Sequence, residues 1–316
     1  MIIIADTSDI KINIKIQDIA MIHPIVFSIP EEKICSCAPV KDKLLSSLIP
    51  GRRSTYIYRT EHDYYNEYKR SYFAMTTKKG GWDCMRHYEI LANGCVPYFP
   101  DIEKCPPNTM ALFPKDLTIQ GNALYNKIKS YSNVGPNEED AQLYVTLRDK
   151  FLDYTREHLT TNKLATYVLE KANITSSSNI LYLSGDIAPD YLRCVTLHGL
   201  KTIYGTWCHD YPKVPHIYKS NDIRYDRLYG RGFSYSNLLD STMHDDSLDV
   251  SIEDRIKSKQ FDCVIYGSYH RGMPHYDLVS TIYKPDEIIL LCGEDLHACN
   301  YADWLQKGHH VFVREL

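Results

Sequence analysis

The most constraining feature of the sequence is an alternation in its second half. Short apolar runs, each ending in a glycine-polar turn, are separated by stretches of helical character. Residues 179–183 end in Ser184-Gly185-Asp186, residues 261–266 end in Gly267-Ser268, and residues 287–292 end in Gly293. Residues 310–313 form a last run, and 201–204 read as a further strand. Residues 190–199, 274–283 and 300–306 read as the intervening helices. Strands apolar on both faces must be covered on both faces, so the pattern predicts a doubly wound parallel sheet. Ligands in such sheets sit beyond the carboxyl ends of the strands. Those ends carry Asp186, then His270 and Arg271, then Glu294 and Asp295.

The first half also reads as α/β. Strands are expected at 23–29, 55–59, 72–76, 96–99 and 111–113, and helices at 40–48, 63–70 and 83–92. The last of these helices ends at Asn93-Gly94, a common C-terminal cap. A long polar helical stretch covers 138–171 and splits near Thr160-Thr161-Asn162. A hinge at Thr175-Ser176-Ser177-Ser178 then divides the chain into domains 1–175 and 176–316. A length of 316 residues suits two domains of ordinary size.

Composition excludes several classes. Lys and Arg number 36 against 40 Asp and Glu, a net charge of −4, so nucleic acid is not an expected partner. The apolar stretch at 20–29 is broken by His23 and Pro24 and is far short of the ~20 residues a membrane span needs. The opening residues lack a basic segment and reach Asp6 early, which argues against a secretory signal. The ten cysteines are scattered without a CxxC pair, so no structural zinc site is expected. Cys263 and Cys292 lie in apolar runs as small hydrophobes, and a reducing cytoplasmic setting is expected. Tyrosines number 26 against 8 Phe and 3 Trp, a mix suited to polar, flat ligands.

The segment 78–100, KKGGWDCMRHYEILANGCVPYFP, carries the sharpest chemistry. A glycine loop follows a strand and opens a helix, where backbone N–H groups favour phosphate oxygens. Lys78 and Lys79 add charge, and Gly80 and Gly81 allow close approach. Arg86 and Glu89 lie one helical turn apart on one face. Gly94 and Pro97 then turn the chain back into a strand. An Arg fork and a carboxylate so placed suit the phosphates and ribose hydroxyls of a nucleotide. The competing reading is a surface ion pair beside an ordinary turn.

Arg86, Glu89, Gly94, Cys95, Val96 and Pro97 resemble the donor-site segment of exostosin-like glycosyltransferases. The upstream strand ending at Arg59, the Tyr-bearing acidic helix and Ser71-Tyr72-Phe73-Ala74 fit the same pattern, over roughly residues 26–117. Compact soluble enzymes encoded by large algal DNA viruses look similar. The resemblance implies a GT-B fold of two Rossmann-like domains and inversion at the anomeric carbon. It also implies a nucleotide-sugar donor, UDP-linked and as specific as UDP-xylose, with usually no metal. A glycan or glycoprotein hydroxyl would be the acceptor, and no separate cofactor is needed. Glu89 would then hold the donor ribose, with Arg86 near the diphosphate or in the site's structural core. In usual GT-B enzymes the acceptor domain comes first; here the donor-like motif does, so the chain looks circularly permuted.

An inverting transfer needs a base and a cation for the leaving diphosphate. Asp186 is the first choice of base, its competing role being a helix N-cap. His270 is the second, with Arg271 as a phosphate partner; Asp295 and His297 are further alternatives. Arg231, between two glycines in RLYGRGFSY, can reach a phosphate. His209-Asp210 reads as a polar loop, with Trp207 as a sugar platform or simply core. A Rossmann-type methyltransferase and a non-catalytic sugar- or nucleotide-binding protein remain the alternatives. Neither a G-x-G turn after the first strand of the second half nor a G-x-G-x-x-G fingerprint is present.

Overall fold

The computed structural model describes residues 21–174, 179–295 and 299–316. The expected hinge at 175–178 and the alternative base His297 lie outside the described residues. Along the chain, β1 (Ile22–Pro24) and β2 (Lys43–Leu45) precede α1 (Glu61–Lys69), β3 (Ser71–Met75), α2 (Met85–Ala92) and β4 (Val96–Tyr98). Three helices follow: α3 (Lys115–Lys129), α4 (Glu138–His158) and α5 (Thr161–Lys171). Then come β5 (Ile180–Leu183), α6 (Tyr191–Tyr204) and β6 (Cys208–Tyr211). After a long irregular segment lie α7 (Asp246–Asp249), α8 (Ile252–Lys257), β7 (Cys263–Tyr266), α9 (Tyr276–Ile282), β8 (Ile288–Cys292), α10 (Tyr301–Gln306) and β9 (His310–Val313). No helix among the described residues is long and apolar enough to cross a membrane.

The strands form two parallel sheets, compatible with Rossmann-like organisation. One has six strands in the order β1-β9-β8-β7-β5-β6, and the other has three in the order β2-β3-β4. Counted from β5, the larger sheet runs second-first-third-fourth-fifth, a doubly wound order whose switch point lies between β5 and β7. Its strands β5, β7, β8 and β9 are buried on both faces, as their unbroken apolar runs require. The far edge is completed by β1, with Ile22 opposite Val311 and Pro24 opposite Val313. A strand from the first half of the chain therefore belongs to the sheet of the second half. The helix α5 also packs on α6, so the line at 175 does not separate the two units cleanly in space. One hydrophobic core, from Phe73 and Tyr88 through Leu164 to Ile289, runs through both.

Several local expectations are corrected. Residues 40–48 are not a helix but contain β2. Glu67 accepts from Ser47 N (2.6 Å), Ser46 Oγ (3.0 Å) and Lys43 Nζ (2.6 Å), which holds that segment extended beside β3. Residues 55–59 are not a strand: a 3₁₀ turn at Arg53–Thr55 leads into irregular chain. Residues 111–113 form a turn rather than a strand. Residues 201–204 are the last turn of α6, and the strand lies further on, at β6. The helix was expected to stop at Gly199, but it continues to Gly205, whose φ of +56° ends it. Gly199 serves a different purpose: any Cβ there would strike the backbone of Thr161, so it admits the start of α5. Cys292 is joined to Cys299 by a disulfide rather than standing alone as a small hydrophobe.

Candidate functional site

A cavity of about 430 Å³ lies where the small unit meets the irregular segment after β6. From the first half it is lined by Arg53, Tyr56, Tyr58, Tyr64, Lys79 and the first turns of α2, including Arg86 and Glu89. Tyr191, Tyr229, Gly230, Arg231 and Phe233 line it from the second half. Its volume falls in the range of small-molecule sites, ~300–1,000 Å³. Four cations, one carboxylate and six aromatic rings thus share one space. Of the expected donor-side residues, Lys79, Arg86, Glu89 and Arg231 are brought together here.

Arg86 and Glu89 do not pair with each other. Arg86 Nη1 donates to Thr76 Oγ1 (3.1 Å), and Thr76 Oγ1 lies 2.9 Å from His87 Nδ1. His87 Nε2 lies 2.9 Å from the Trp82 carbonyl and donates to it, which leaves Nδ1 to accept from Thr76. Burial, with the Arg86 and Arg314 cations adding to it, lowers the His87 pKa to about 3, so this relay uses the neutral ring. Glu89 accepts from Ser234 Oγ at 2.6 Å and from Tyr64 Oη at 2.7 Å. Burial raises the pKa of Glu89, while those two donors and Arg86 oppose the rise. Each oxygen still has a lone pair for a ligand hydroxyl.

The remaining donor-side residues are placed elsewhere. Trp82 N and Asp83 N donate to the Glu315 carboxylate at 2.9 and 3.0 Å, so an internal carboxylate takes the N–H groups after the glycine loop. Gly80 faces Asp295, and Gly81 faces Glu315 and Arg314; a Cβ on either would collide with those side chains. This loop therefore joins the small unit to the carboxyl ends of the large sheet. Lys78 Nζ lies over the Trp82 ring, 5.2 Å from its centre. Gly94, with φ of +59°, and Pro97, in β4, are buried and do not line the cavity. Arg59 is exposed and does not line it either. Sequence reasoning missed Arg53, which carried no signal, and Tyr56, Tyr58 and Tyr191, whose only signal was the excess of tyrosine; Tyr229 lies in the singled-out loop RLYGRGFSY.

At the switch point, Asp186, Asp190, Arg193, Ser268, His270, Arg271 and Glu294 converge. Asp190, not Asp186, caps α6: its Oδ1 accepts from Arg193 N at 3.0 Å, and its Oδ2 accepts from Ser268 Oγ at 2.9 Å. Asp186 stays half-exposed, with Ala188 N on its Oδ1 at 2.9 Å and Arg193 Nη1 at 3.5 Å. His270 is nearly buried, with Nε2 at 2.9 Å from Glu294 Oε1 and 3.9 Å from Asp190 Oδ2. Burial lowers its pKa against the pull of those carboxylates. Arg271 is held by Asp190 at 3.1 Å. Gly185 has Arg271 O and Gly272 O where a side chain would begin, which presses the β5 and β7 loops together. Neither Asp186, His270 nor Arg271 lines the cavity described above. Tyr191, next to the capping Asp190, does line it and so stands between the two regions.

His209-Asp210 is not a loop: both residues lie in β6 and are buried, while Trp207 is 65 % exposed and so is not core. Asp295, proposed as an alternative base, pairs with Arg314. No protein-family model, curated protein or solved structure matches this chain.

Proposed function

We propose that the chain is an inverting glycosyltransferase that moves a sugar from a nucleoside-diphosphate donor, UDP-linked, to a glycan hydroxyl. The observation that carries this reading is the cavity in which Arg86 and Glu89 meet Arg53, Lys79, Arg231 and a wall of tyrosines. Aromatic faces suit a stacked base and a sugar ring. Guanidinium and ammonium groups suit a diphosphate, and a buried carboxylate that accepts hydrogen bonds suits ribose hydroxyls.

In this reading the acceptor oxygen attacks the anomeric carbon from the face opposite the diphosphate. Its proton passes to a carboxylate, which we assign to the half-exposed Asp186. The bond from the anomeric carbon to the diphosphate oxygen breaks with its electron pair. Lys79, Arg86 and Arg231 stabilise the charge that develops on the departing group. The donor unit then precedes the acceptor unit in the chain, the permuted order expected from the motif's position.

A thermal-shift series tests the reading. UDP is expected to raise the melting temperature, and S-adenosylmethionine is expected to leave it unchanged. Stabilisation by S-adenosylmethionine alone would favour a methyltransferase. A nucleotide shift without transfer to any glycan would favour a binding protein, and no shift with any nucleotide would remove the proposal.

A further inference from the structure

Three ligand-type side chains that no sequence spacing connects converge beside β6. His209 Nε2 lies 2.8 Å from Asp249 Oδ1, and His244 Nε2 lies 3.3 Å from Asp249 Oδ2. The two imidazoles stack, with ring centres 5.0 Å apart. One ligand atom from each of the three residues lies within 4.8 Å of the others. Both histidines are buried, whereas the Asp249 side chain is 28 % exposed and gives the cluster an opening to solvent. Asp246 Oδ1 stands 3.5 Å from His244 Nε2 at that opening.

The surroundings decide the tautomer of His244. Its Nδ1 lies 3.0 Å from Asp210 Oδ1, so Nδ1 carries the proton and donates it. Asp210 is fully buried and is already matched in charge by Lys201 at 2.9 Å, with Tyr218 Oη donating at 2.6 Å and Val214 N at 3.2 Å. The His244 Nε2 is thereby turned toward the oxygens of Asp249. Either a proton on Nε2 or a metal ion between the ring and the carboxylate makes that arrangement favourable. A carboxylate that orients an imidazole through its far nitrogen is the common outer partner of a metal-bound histidine.

We propose that His209, His244 and Asp249 bind a divalent transition-metal ion, zinc by the chemistry of the donors, which fastens the segment 212–250 to β6. Two imidazoles and a carboxylate are zinc-type ligands, with bonds of about 2.0–2.2 Å. A tetrahedral site with such bonds separates its ligand atoms by roughly 3.3–3.5 Å; the His244–Asp249 spacing of 3.3 Å already matches, while the 2.8 Å His209–Asp249 contact has to open and the cluster, whose ligand atoms lie within 4.8 Å of one another, has to draw together around the ion. A water or Asp246 completes the set. The segment this ion closes contains only short helical turns, yet it delivers Tyr229, Arg231 and Phe233 to the cavity and Ser234 to Glu89. A staple at its base supplies the order that its secondary structure lacks. The site is independent of the glycosyl-transfer reading and stands whatever ligand the cavity takes.

The test uses the full chain, stripped with a chelator and titrated with Zn2+ and with Co2+. The expected result is one ion bound per chain, a higher melting temperature with Zn2+, and the visible bands of a low-coordinate Co2+ site. Asp249→Asn, at the solvent-facing ligand, is expected to weaken Co2+ binding by about 100-fold or more, beyond the ~10–100-fold typical of an outer-shell change. Asp246→Asn is expected to weaken it less. If Asp249→Asn fails to fold, the wild-type titration decides alone. Absence of both the Co2+ bands and the Zn2+ shift in the stripped wild type would overturn the proposal and leave a proton on His244 as the cation.

Discussion

Ser234 Oγ donates a 2.6 Å hydrogen bond to Glu89 Oε1 across 145 positions of sequence. The contact joins α2 of the small unit to the irregular segment after β6, and it is deeply buried. Tyr65 Oη donates to the same serine oxygen at 2.7 Å, and Ser234 N donates to Glu61 at 2.7 Å. Ser234 adopts φ of +72°, and Gly230, Arg231 and Gly232 beside it are also at positive φ. Non-glycine residues rarely adopt such angles, and a run of them needs strong local restraint. Glu89 thus latches the loop that forms the far wall of the cavity.

Loss of that latch is the first prediction. Ser234→Ala removes the donor while keeping the loop's volume, and it strands Glu89 and Tyr65 in a buried site. The expected cost is about 1–3 kcal/mol of stability, read by urea unfolding. Faster proteolysis within 229–236 should accompany it. Wild-type stability and cleavage would show that the loop is held by other contacts.

Arg231 offers a cleaner probe of ligand binding. Its φ of +59° is one that glycine adopts freely, so Arg231→Gly removes the guanidinium without new strain. The fold should stay intact while UDP affinity, measured by calorimetry, falls by about 10–100-fold, as loss of a charged hydrogen bond implies. Unchanged affinity would place the diphosphate elsewhere.

For Asp186→Asn, donor binding should match the wild type while glycosyl transfer drops by about 100-fold or more, the lower end of general-base contributions. Near-normal turnover would remove Asp186 as the base and direct attention to Glu294 and His270, its neighbours at the strand ends.

The neutral His87 makes a pH prediction. Its pKa is lowered from 6.5 to about 3 by burial, so between those values the unfolded chain binds a proton that the folded chain does not. The stability this group contributes is complete above about 6.5 and is lost as the pH falls toward about 3, with a slope near 1.4 kcal/mol per unit. His87→Gln keeps a donor for the Trp82 carbonyl and does not titrate. Its stability should fall less steeply than that of the wild type between about pH 6.5 and about pH 4. Parallel curves would show that other groups carry the acid sensitivity.

Four of the larger sheet's six strands, β5, β7, β8 and β9, were legible because they are defined by burial alone. Residues 180–183, 263–266 and 288–292 have no charged interruption, and each ends where a glycine turns the chain, while 310–313 is a buried run leading into Arg314. The helices α1, α2 and α4 were legible through periodicity and caps. Where an element depended on a distant partner, local reading failed. Segment 40–48 is extended only because Glu67 and β3 hold it, and Gly199 sits mid-helix only because α5 crosses there.

The same division holds for the site. Sequence by itself placed Arg86 and Glu89 on one turn of a helix, because that spacing is local geometry. It also placed Asp186, His270 and Arg271 at the ends of parallel strands, because chain direction determines which ends meet. Tertiary structure decided which of these residues face the cavity, that Arg53 and five tyrosines join them, and that Glu315 takes the N–H groups after the glycine loop. It alone brought His209, His244 and Asp249 together. Such contacts join residues from separate elements, and they exist only once packing of the two sheets and the segment between them has set the distances.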